Sequence, residues 1–359
     1  MRRTTLALMM VCVLLVAVTS CEQKEKEPEV TISPPAGKDY FYVPINNALH
    51  IIDGATDTIV KTIPYNDYII GGTFSPDGRR YYANALHSIY VFDTTKQELV
   101  DTYRFSTELS KVLVGGFGVS EDNRSLYIIS FIVKKKQNVP RLNVLPPQLV
   151  VFDIESKKIA KSFEIPYYFK PVFPIKNDPD HLILVGYDVC KFSLKTGKIE
   201  VIETLFNPKK GEKVRNCLPG MDAISPGDHG IVVYSYYEGE GINVSSGFLM
   251  IDRNKGQARL LPSKDLWLSE TTILSPDKKY VYAVMDELIK IDAETGKTVN
   301  FVQLENGTCK GVATSSDGKK VYVGPSGPDI SVYESETLKL IKVIPLEGDG
   351  GYAMHRVTL

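Results

Sequence analysis

Beyond an apolar leader, hydrophobic residues fall in short runs that alternate with polar ones, and no stretch carries the 3.6-residue period of an amphipathic helix. The runs are punctuated by one recurring turn signal. It reads Ser75-Pro76-Asp77-Gly78, Ser120-Glu121-Asp122-Asn123, Ser225-Pro226-Gly227-Asp228, Ser275-Pro276-Asp277-Lys278 and Ser315-Ser316-Asp317-Gly318. Proline at the second position presets φ, and Asp followed by Gly or Asn supplies the reversal. A strand rich in β-branched and aromatic residues follows, as in Tyr81-Tyr82-Ala83, Leu126-Tyr127-Ile128-Ile129, Tyr280-Val281-Tyr282-Ala283 and Val321-Tyr322-Val323. A third strand then ends in an acid, at Asp93, Asp153, Asp252, Asp292 and Glu334, and a fourth runs out after the next turn. These acids lack the clustered oxygen ligands of a calcium site.

Four strands per repeat, without helices, describe a propeller blade. Innermost strands are expected to start near Ile70, Val114, Pro171, Met221, Thr271 and Gly311. Residues 38–359 then divide into seven units of roughly 45 residues. The body enters at Tyr40-Phe41-Tyr42-Val43, which matches a second strand, and leaves at residues 351–357, which match a first strand. The sequence therefore predicts an all-β, seven-bladed propeller whose first blade is completed by the C-terminal strand. Such closure removes exposed strand edges at the termini.

Ordering the strands outward from the channel puts three long insertions, 132–147, 203–219 and 236–246, on one face of the disc. Long loops on a rigid scaffold are where binding concentrates. The same face is expected to collect Tyr65, Tyr68, Tyr167, Tyr168, Phe169, Tyr237 and the single tryptophan, Trp267, with a basic rim that includes Lys135, Lys210 and Arg215. Aromatic anchors within a basic rim suit a protein partner. Taken singly, each ring is better accounted for as cover over a blade, and each lysine as a solvated side chain; it is their collective asymmetry that favours an interface.

The leader sets the compartment. Arg2 and Arg3 precede thirteen apolar residues, Leu6 to Val18, which end at Thr19-Ser20-Cys21. That run is shorter than the ~20 residues that span a bilayer, and it has the layout of a signal peptide. Val18-Thr19-Ser20-Cys21 resembles a lipobox, so residues 1–20 are expected to leave and Cys21 to carry lipid. Residues 22–35 are polar, charge-mixed and hold three prolines, as a tether would. The expected location is extracytoplasmic, held to a bacterial membrane, with the folded body facing the periplasm or the cell surface.

Composition narrows the partners. The chain has 42 basic and 43 acidic residues, and losing Arg2 and Arg3 with the leader leaves 40 against 43. That balance argues against nucleic acid. The remaining thiols, Cys190, Cys217 and Cys309, are odd in number; a Cys190–Cys217 disulfide and buried free thiols are both compatible with the sequence. Cysteine spacing fits neither a zinc knuckle nor a haem attachment site. His50, His87, His181, His229 and His355 are scattered, and no nucleophile elbow or phosphate loop is present. No catalytic, cofactor-binding or metal-binding residue is assigned. His355 is read as a channel-lining residue in a hydrogen-bonded, structural role.

Asn47-Ala48-Leu49-His50-Ile51-Ile52-Asp53 and Ser75 through Arg80 resemble the YVTN class of bacterial propeller repeats. Residues Pro146 through Phe152, Asp329 through Tyr333, Glu336-Thr337-Leu338 and Gly348-Asp349-Gly350 resemble the β subunit of quinohemoprotein amine dehydrogenase. The resemblance extends over most of residues 38–359. It implies a non-catalytic propeller subunit that positions a small subunit bearing cysteine tryptophylquinone beside a di-haem cytochrome c, both cofactors lying on the partners, for primary amine oxidation. The family subunit is soluble in the periplasm, whereas Cys21 points to a membrane-anchored version. The alternative is a free-standing, lipid-anchored scaffold that binds another protein or a surface polymer; a self-contained propeller hydrolase is a third.

Overall fold

A computed structural model describes residues 37–136, 139–208, 210–218, 229–240, 243–305, 307–324, 327–350 and 353–359. The leader, Cys21 and the tether up to residue 36 lie outside the described residues, as do Met221 and the Ser225 turn. The described chain folds as seven antiparallel sheets, one per repeat, with no helix among them. It is a seven-bladed β-propeller.

Four turns share one construction. The Ser Oγ of Ser75, Ser120, Ser275 and Ser315 donates to the Asp two residues on at 2.6 Å in each case. The same Oγ accepts the backbone N–H five residues on, from Arg80, Ser125, Tyr280 or Lys320, at 2.9 Å. Gly78, Asn123, Lys278 and Gly318 take positive φ of 70°, 59°, 64° and 70°. Side chains thus satisfy the turn's backbone while the fourth residue supplies the left-handed step.

The acids that end each third strand cap the next turn. Asp93 accepts from Thr95 and Lys96 at 3.0 and 2.9 Å, and Asp292 from Glu294 and Thr295 at 3.1 and 2.7 Å. One residue before the acid, five blades carry a register shift, at Ile51/Ile52, Val91/Phe92, Val151/Phe152, Lys290/Ile291 and Val332/Tyr333. The residue skipped on the outer strand is Val60, Val100, Ala160, Val299 or Ile341. Bulges of this kind twist an edge strand away from edge-to-edge pairing.

Burial is concentrated between blades, in seven apolar clusters, one for each pair of neighbours. Where inner strands meet, backbones come close: a Cβ on Gly116 would stand 2.2 Å from the Lys170 carbonyl oxygen of blade 4.

The ring closes between its ends. His355–Thr358 pairs with Asp39–Ile45 as the inner strand of blade 1, with Tyr40 opposite Val357. Lys38 and Leu359 exchange backbone hydrogen bonds of 2.8 and 3.0 Å. Asp39 fastens the seam by accepting from Thr358 at 2.7 Å, from the buried Arg356 guanidinium at 3.4 Å and from the Ser316 N–H of blade 7 at 2.7 Å.

Two insertions are strands rather than loops. In blade 3 the inner strand starts at Ser110, ahead of Val114, and Ser125–Lys135 continues past the disc with Ser110 opposite Lys134. Leu142–Val144 adds a third strand to this extension. In blade 5 the described inner strand is Arg215–Leu218, which begins ahead of Met221, and Ile231–Glu240 pairs with Asn243–Asp252 beyond the disc. Phe131-Ile132-Val133 and Tyr236-Tyr237 are strand formers, and with a partner strand opposite them the ladder continues past the face.

Candidate functional site

Call the face that holds the second-to-third-strand turns and the blade-to-blade connections the upper face. The blade 3 and blade 5 extensions rise on either side of blade 4 in sequence, and blade 4 presents a bare aromatic stack. The Tyr187 ring lies 4.7 Å from Tyr168 at 20° and 4.6 Å from Phe206 at 21°. Tyr167 stacks on Phe131 of the blade 3 extension at 6.5 Å, and its hydroxyl donates to the Leu145 carbonyl at 3.1 Å. Tyr167, Tyr187 and Phe206 are 60%, 50% and 42% exposed.

The stack is held from below by Asp188. Its carboxylate accepts the N–H groups of Leu205, Phe206 and Asn207 at 2.7, 3.1 and 3.4 Å and the Asn207 side chain at 3.0 Å. Burial opposes the charge, but those hydrogen bonds outweigh it and keep the carboxyl below its ordinary range. The Phe206 loop is therefore pinned to the Tyr187 turn by a carboxylate that stays ionised.

Two groups stand out among the exposed large apolar residues. Val60, Val100, Val299 and Ile341 occupy the outer-strand bulges around the circumference. Leu86, Leu109, Leu113, Leu142 and Val144 instead share the upper face of blades 2 and 3 with the blade 4 rings. Val214 on the blade 4–5 connection and Leu266 and Leu268 on the blade 5–6 connection are also exposed on this face, but the larger group gathers over blades 2–4, and an exposed apolar patch of this kind marks a contact surface.

Several residues expected on this surface serve elsewhere. Phe169 is fully buried in the blade 3–4 core, because the chain dives inward there to begin the next inner strand. Tyr65 is buried in the blade 1–2 core and its hydroxyl donates to the Ile45 carbonyl. Tyr68 is half-buried at the start of blade 2. Arg215 is paired with Glu238 at 3.1 Å, and Lys213 stands 4.0 Å from the same carboxylate. Burial raises the neighbouring Glu203 carboxyl, with Arg215 pulling it down. Tyr237 accepts the Ser269 N–H at 2.7 Å and donates to the Ser269 carbonyl at 3.2 Å. Trp267 lies at the rim between blades 5 and 6, where its N–H donates to Thr298 at 2.8 Å and its ring packs 5.1 Å from Phe301 of an outer strand. Lys135 and Lys210 are exposed. The structure brings Tyr167 and Tyr168 together, with Tyr187 and Phe206 as unforeseen companions. An aromatic at the tip of the tight Gly186-Tyr187-Asp188 turn was the signal for the first of these.

His355 is buried with its ring nitrogen 3.1 Å from the Tyr81 hydroxyl, so it belongs to the core rather than to an open channel. Cys190, Cys217 and Cys309 are free. Burial raises the thiol pKa values of Cys190 and Cys217 to about 12 and that of Cys309 to about 11.

No protein-family model and no curated protein matches this chain. Solved structures do. A dihydro-heme d1 dehydrogenase, NirN, in complex with DHE is similar at a TM-score of 0.53 and 13% identity, over 88% of this chain and 74% of that one. Hydrazine synthase of Kuenenia stuttgartiensis is similar at 0.52 and 15%, over 84% and 90%. Apo AztD of Citrobacter koseri is similar at 0.52 and 13%, over 89% and 98%. At these identities the likeness is one of fold.

Proposed function

We propose that this chain is a docking subunit: a propeller, anchored outside the cytoplasm through a lipidated Cys21, that seats a protein partner on the upper face of blades 2–4. The observation that carries this reading is the gathering of most of the upper face's exposed apolar and aromatic side chains in that sector, with the stacked rings of Tyr168, Tyr187 and Phe206 at its edge. Rigid, exposed aromatics on a scaffold supply large contact area at little entropic cost. The finer reading takes the partner to be a small quinone-bearing subunit beside a di-haem cytochrome c, so that the assembly oxidises primary amines. It rests on the resemblance of residues 146–152, 329–338 and 348–350 to the amine dehydrogenase β subunit.

Isolation of the chain from its native membrane tests both levels. A stoichiometric partner is expected, retained by a Val100→Ser/Val299→Ser control and lost from Tyr167→Ser/Tyr187→Ser/Phe206→Ser. Retention by the aromatic variant, or a chain isolated alone, overturns the docking role. Haem absorbance and redox-cycling quinone stain in the partner support the amine dehydrogenase assignment; a partner with neither overturns it in favour of a free-standing scaffold. A Cys21→Ser chain is expected in the soluble fraction, and its retention in the membrane overturns the anchor.

A further inference from the structure

Above the disc, blade 3 has three columns of strand where the disc has four. Residues 110–113, 131–135 and Leu142–Val144 rise side by side, while the outer strand, Lys158–Glu164, ends with Glu164 opposite Gln148. Among the described residues no strand pairs with the far edge of Leu142–Val144. The outer column is therefore empty beside it.

This edge is open and unguarded. Leu145 donates its N–H to the Ile132 carbonyl at 2.9 Å, and Asn143 stands opposite Lys134. Because hydrogen-bonded pairs alternate along an antiparallel ladder, Asn143 and Leu145 bond inward, and the N–H and C=O groups of Leu142 and Val144 turn outward. Five outer strands of the disc are protected by a bulge, whereas Leu142–Val144 pairs without a register shift and holds neither a charge nor a proline. Pro140 and Pro146 bound the opening. Tyr167 fixes its end to blade 4 through the Leu145 carbonyl, 3.1 Å from the hydroxyl.

The two faces of the edge differ in chemistry. Leu142 and Val144 are 68% and 59% exposed and share a face with Leu109 and Leu113, whereas Asn143 and Lys134 lie on the other. Segments 106–114, 130–149 and 163–170 hold six basic residues against two acids, Glu108 and Glu164. Lys134, Lys135, Lys136 and Arg141 are exposed, and among the described residues none of them forms an ion pair. A second copy added at this edge would set two such basic groups against each other, so charge selects an acidic occupant.

We propose that this edge is a strand-addition slot and, resting on the reading that a protein docks on this sector, that the partner enters it with one extended segment of alternating apolar and acidic residues. The segment's main chain pairs with the outward groups of Leu142 and Val144. Its apolar side chains lie beside those two on their shared face, and its acids lie on the face of Lys134. In such additions main-chain hydrogen bonds supply affinity, and alternate side chains supply specificity.

The test uses the full chain in nanodiscs of neutral lipid, with the heat of empty nanodiscs subtracted. It is titrated calorimetrically with a capped octapeptide of alternating Glu and Val and with its counterpart of alternating Lys and Val. The acidic octapeptide is expected to saturate at one site per chain and the basic one to bind at least about tenfold more weakly. Val144→Pro deletes one outward N–H while leaving the bonds of Asn143 and Leu145 in place, and is expected to weaken the acidic octapeptide about tenfold; Val144→Thr, which keeps the N–H, is expected to retain it. Lys134→Ser/Lys135→Ser/Arg141→Ser is expected to abolish the preference between the two octapeptides. Absence of saturable binding of the acidic octapeptide, equal binding of the two, undiminished binding in Val144→Pro, or an undiminished preference in the triple variant overturns the proposal. The octapeptides need no native partner. Their failure to bind overturns the slot while the aromatic variant still decides docking, and a chain isolated alone from its membrane overturns docking without touching the slot.

Discussion

At the scale of the residue, the least replaceable charge is Asp39. Arg356 is 1% exposed, and Asp39 is the carboxylate placed against it at the seam. Removing the carboxylate takes a charge partner from the buried guanidinium and the acceptor from the Thr358 hydroxyl and the Ser316 N–H at once, so Asp39→Ala is expected to cost about 3–5 kcal/mol in urea unfolding, whereas Asp39→Asn, which keeps a hydrogen-bond acceptor, costs less. His50 gives a pH signature. It is buried with Nδ1 2.9 Å from the Thr62 hydroxyl, and burial lowers its pKa below 6.5 against a smaller opposing pull from Glu347. An unfolded chain takes up this proton near pH 6.5 and the folded chain only at lower pH, so stability falls as pH drops from 6.5 to the folded value and is flat above. The urea midpoint is therefore expected to fall between pH 7 and 5.5, and less steeply in His50→Gln; equal slopes would remove His50 from the account. Single residues were the hardest part to read in advance. The letters Tyr and Phe in 165–169 do not say where the chain turns inward, which is why Tyr167 is exposed and Phe169 buried two positions later.

Elements were legible where chemistry is local. The Ser-x-Asp turn, the left-handed fourth position and the acid that caps the following turn each depend on residues within five positions of one another, and the four described turns are superposable in their hydrogen bonds. Ser120→Ala is expected to cost about 1 kcal/mol of stability, since the Ser125 N–H loses its acceptor, while the Arg124 N–H keeps Asp122. The same turns predict acid sensitivity. The Ser120 hydroxyl holds the Asp122 carboxyl below its ordinary 3.8; in Asp77 and Asp317 burial pushes upward, and the serine hydrogen bond, the backbone N–H two residues on and the neighbouring Arg79 or Lys319 charge together outweigh it. Their contribution is present above about pH 3.8 and is lost as pH falls through the folded values. Asp122→Asn should flatten the decline of the urea midpoint between pH 5 and 3; an unchanged slope would contradict it. Strand length was not legible in the same way. Whether a ladder stops at the face depends on a partner strand some distance along the chain, so the segments 132–147 and 236–246 read as loop insertions until Ser110 is found opposite Lys134 and Tyr236 opposite Gly247. The outer-strand bulges are likewise silent in sequence, because Val60, Val100 and Val299 look like ordinary alternating positions.

For the whole molecule, closure decides what kind of object the ring is. Each blade buries its apolar face only against its neighbours, so an open ring would expose two half-cores at once: the Phe41, Val43 and Met354 side of blade 1, and the Tyr322, Val332 and Ile344 side of blade 7. The last seven residues hold that seam through the Tyr42–His355 to Asp39–Thr358 ladder, the Asp39 network and Met354 itself. Across the same interface the Tyr322 hydroxyl and the Lys320 ammonium reach Asp57 of blade 1 at 2.5 and 2.7 Å. A chain cut after residue 352 keeps those blade 7 contacts to Asp57 but loses the inner strand of blade 1, leaving Asp39–Ile45 as a bare apolar edge on the channel. Truncation is therefore expected to damage more than one blade: the single cooperative melt of the intact ring should move down by many degrees or divide into steps, and the truncated chain should self-associate. Adding back a synthetic peptide of residues 353–359 in excess should restore the melt in proportion to its binding. A truncated chain with the midpoint of the intact one would show that the blades hold together by face-to-face packing alone, and that the seam adds nothing to the rigidity with which blades 2–4 present their upper face.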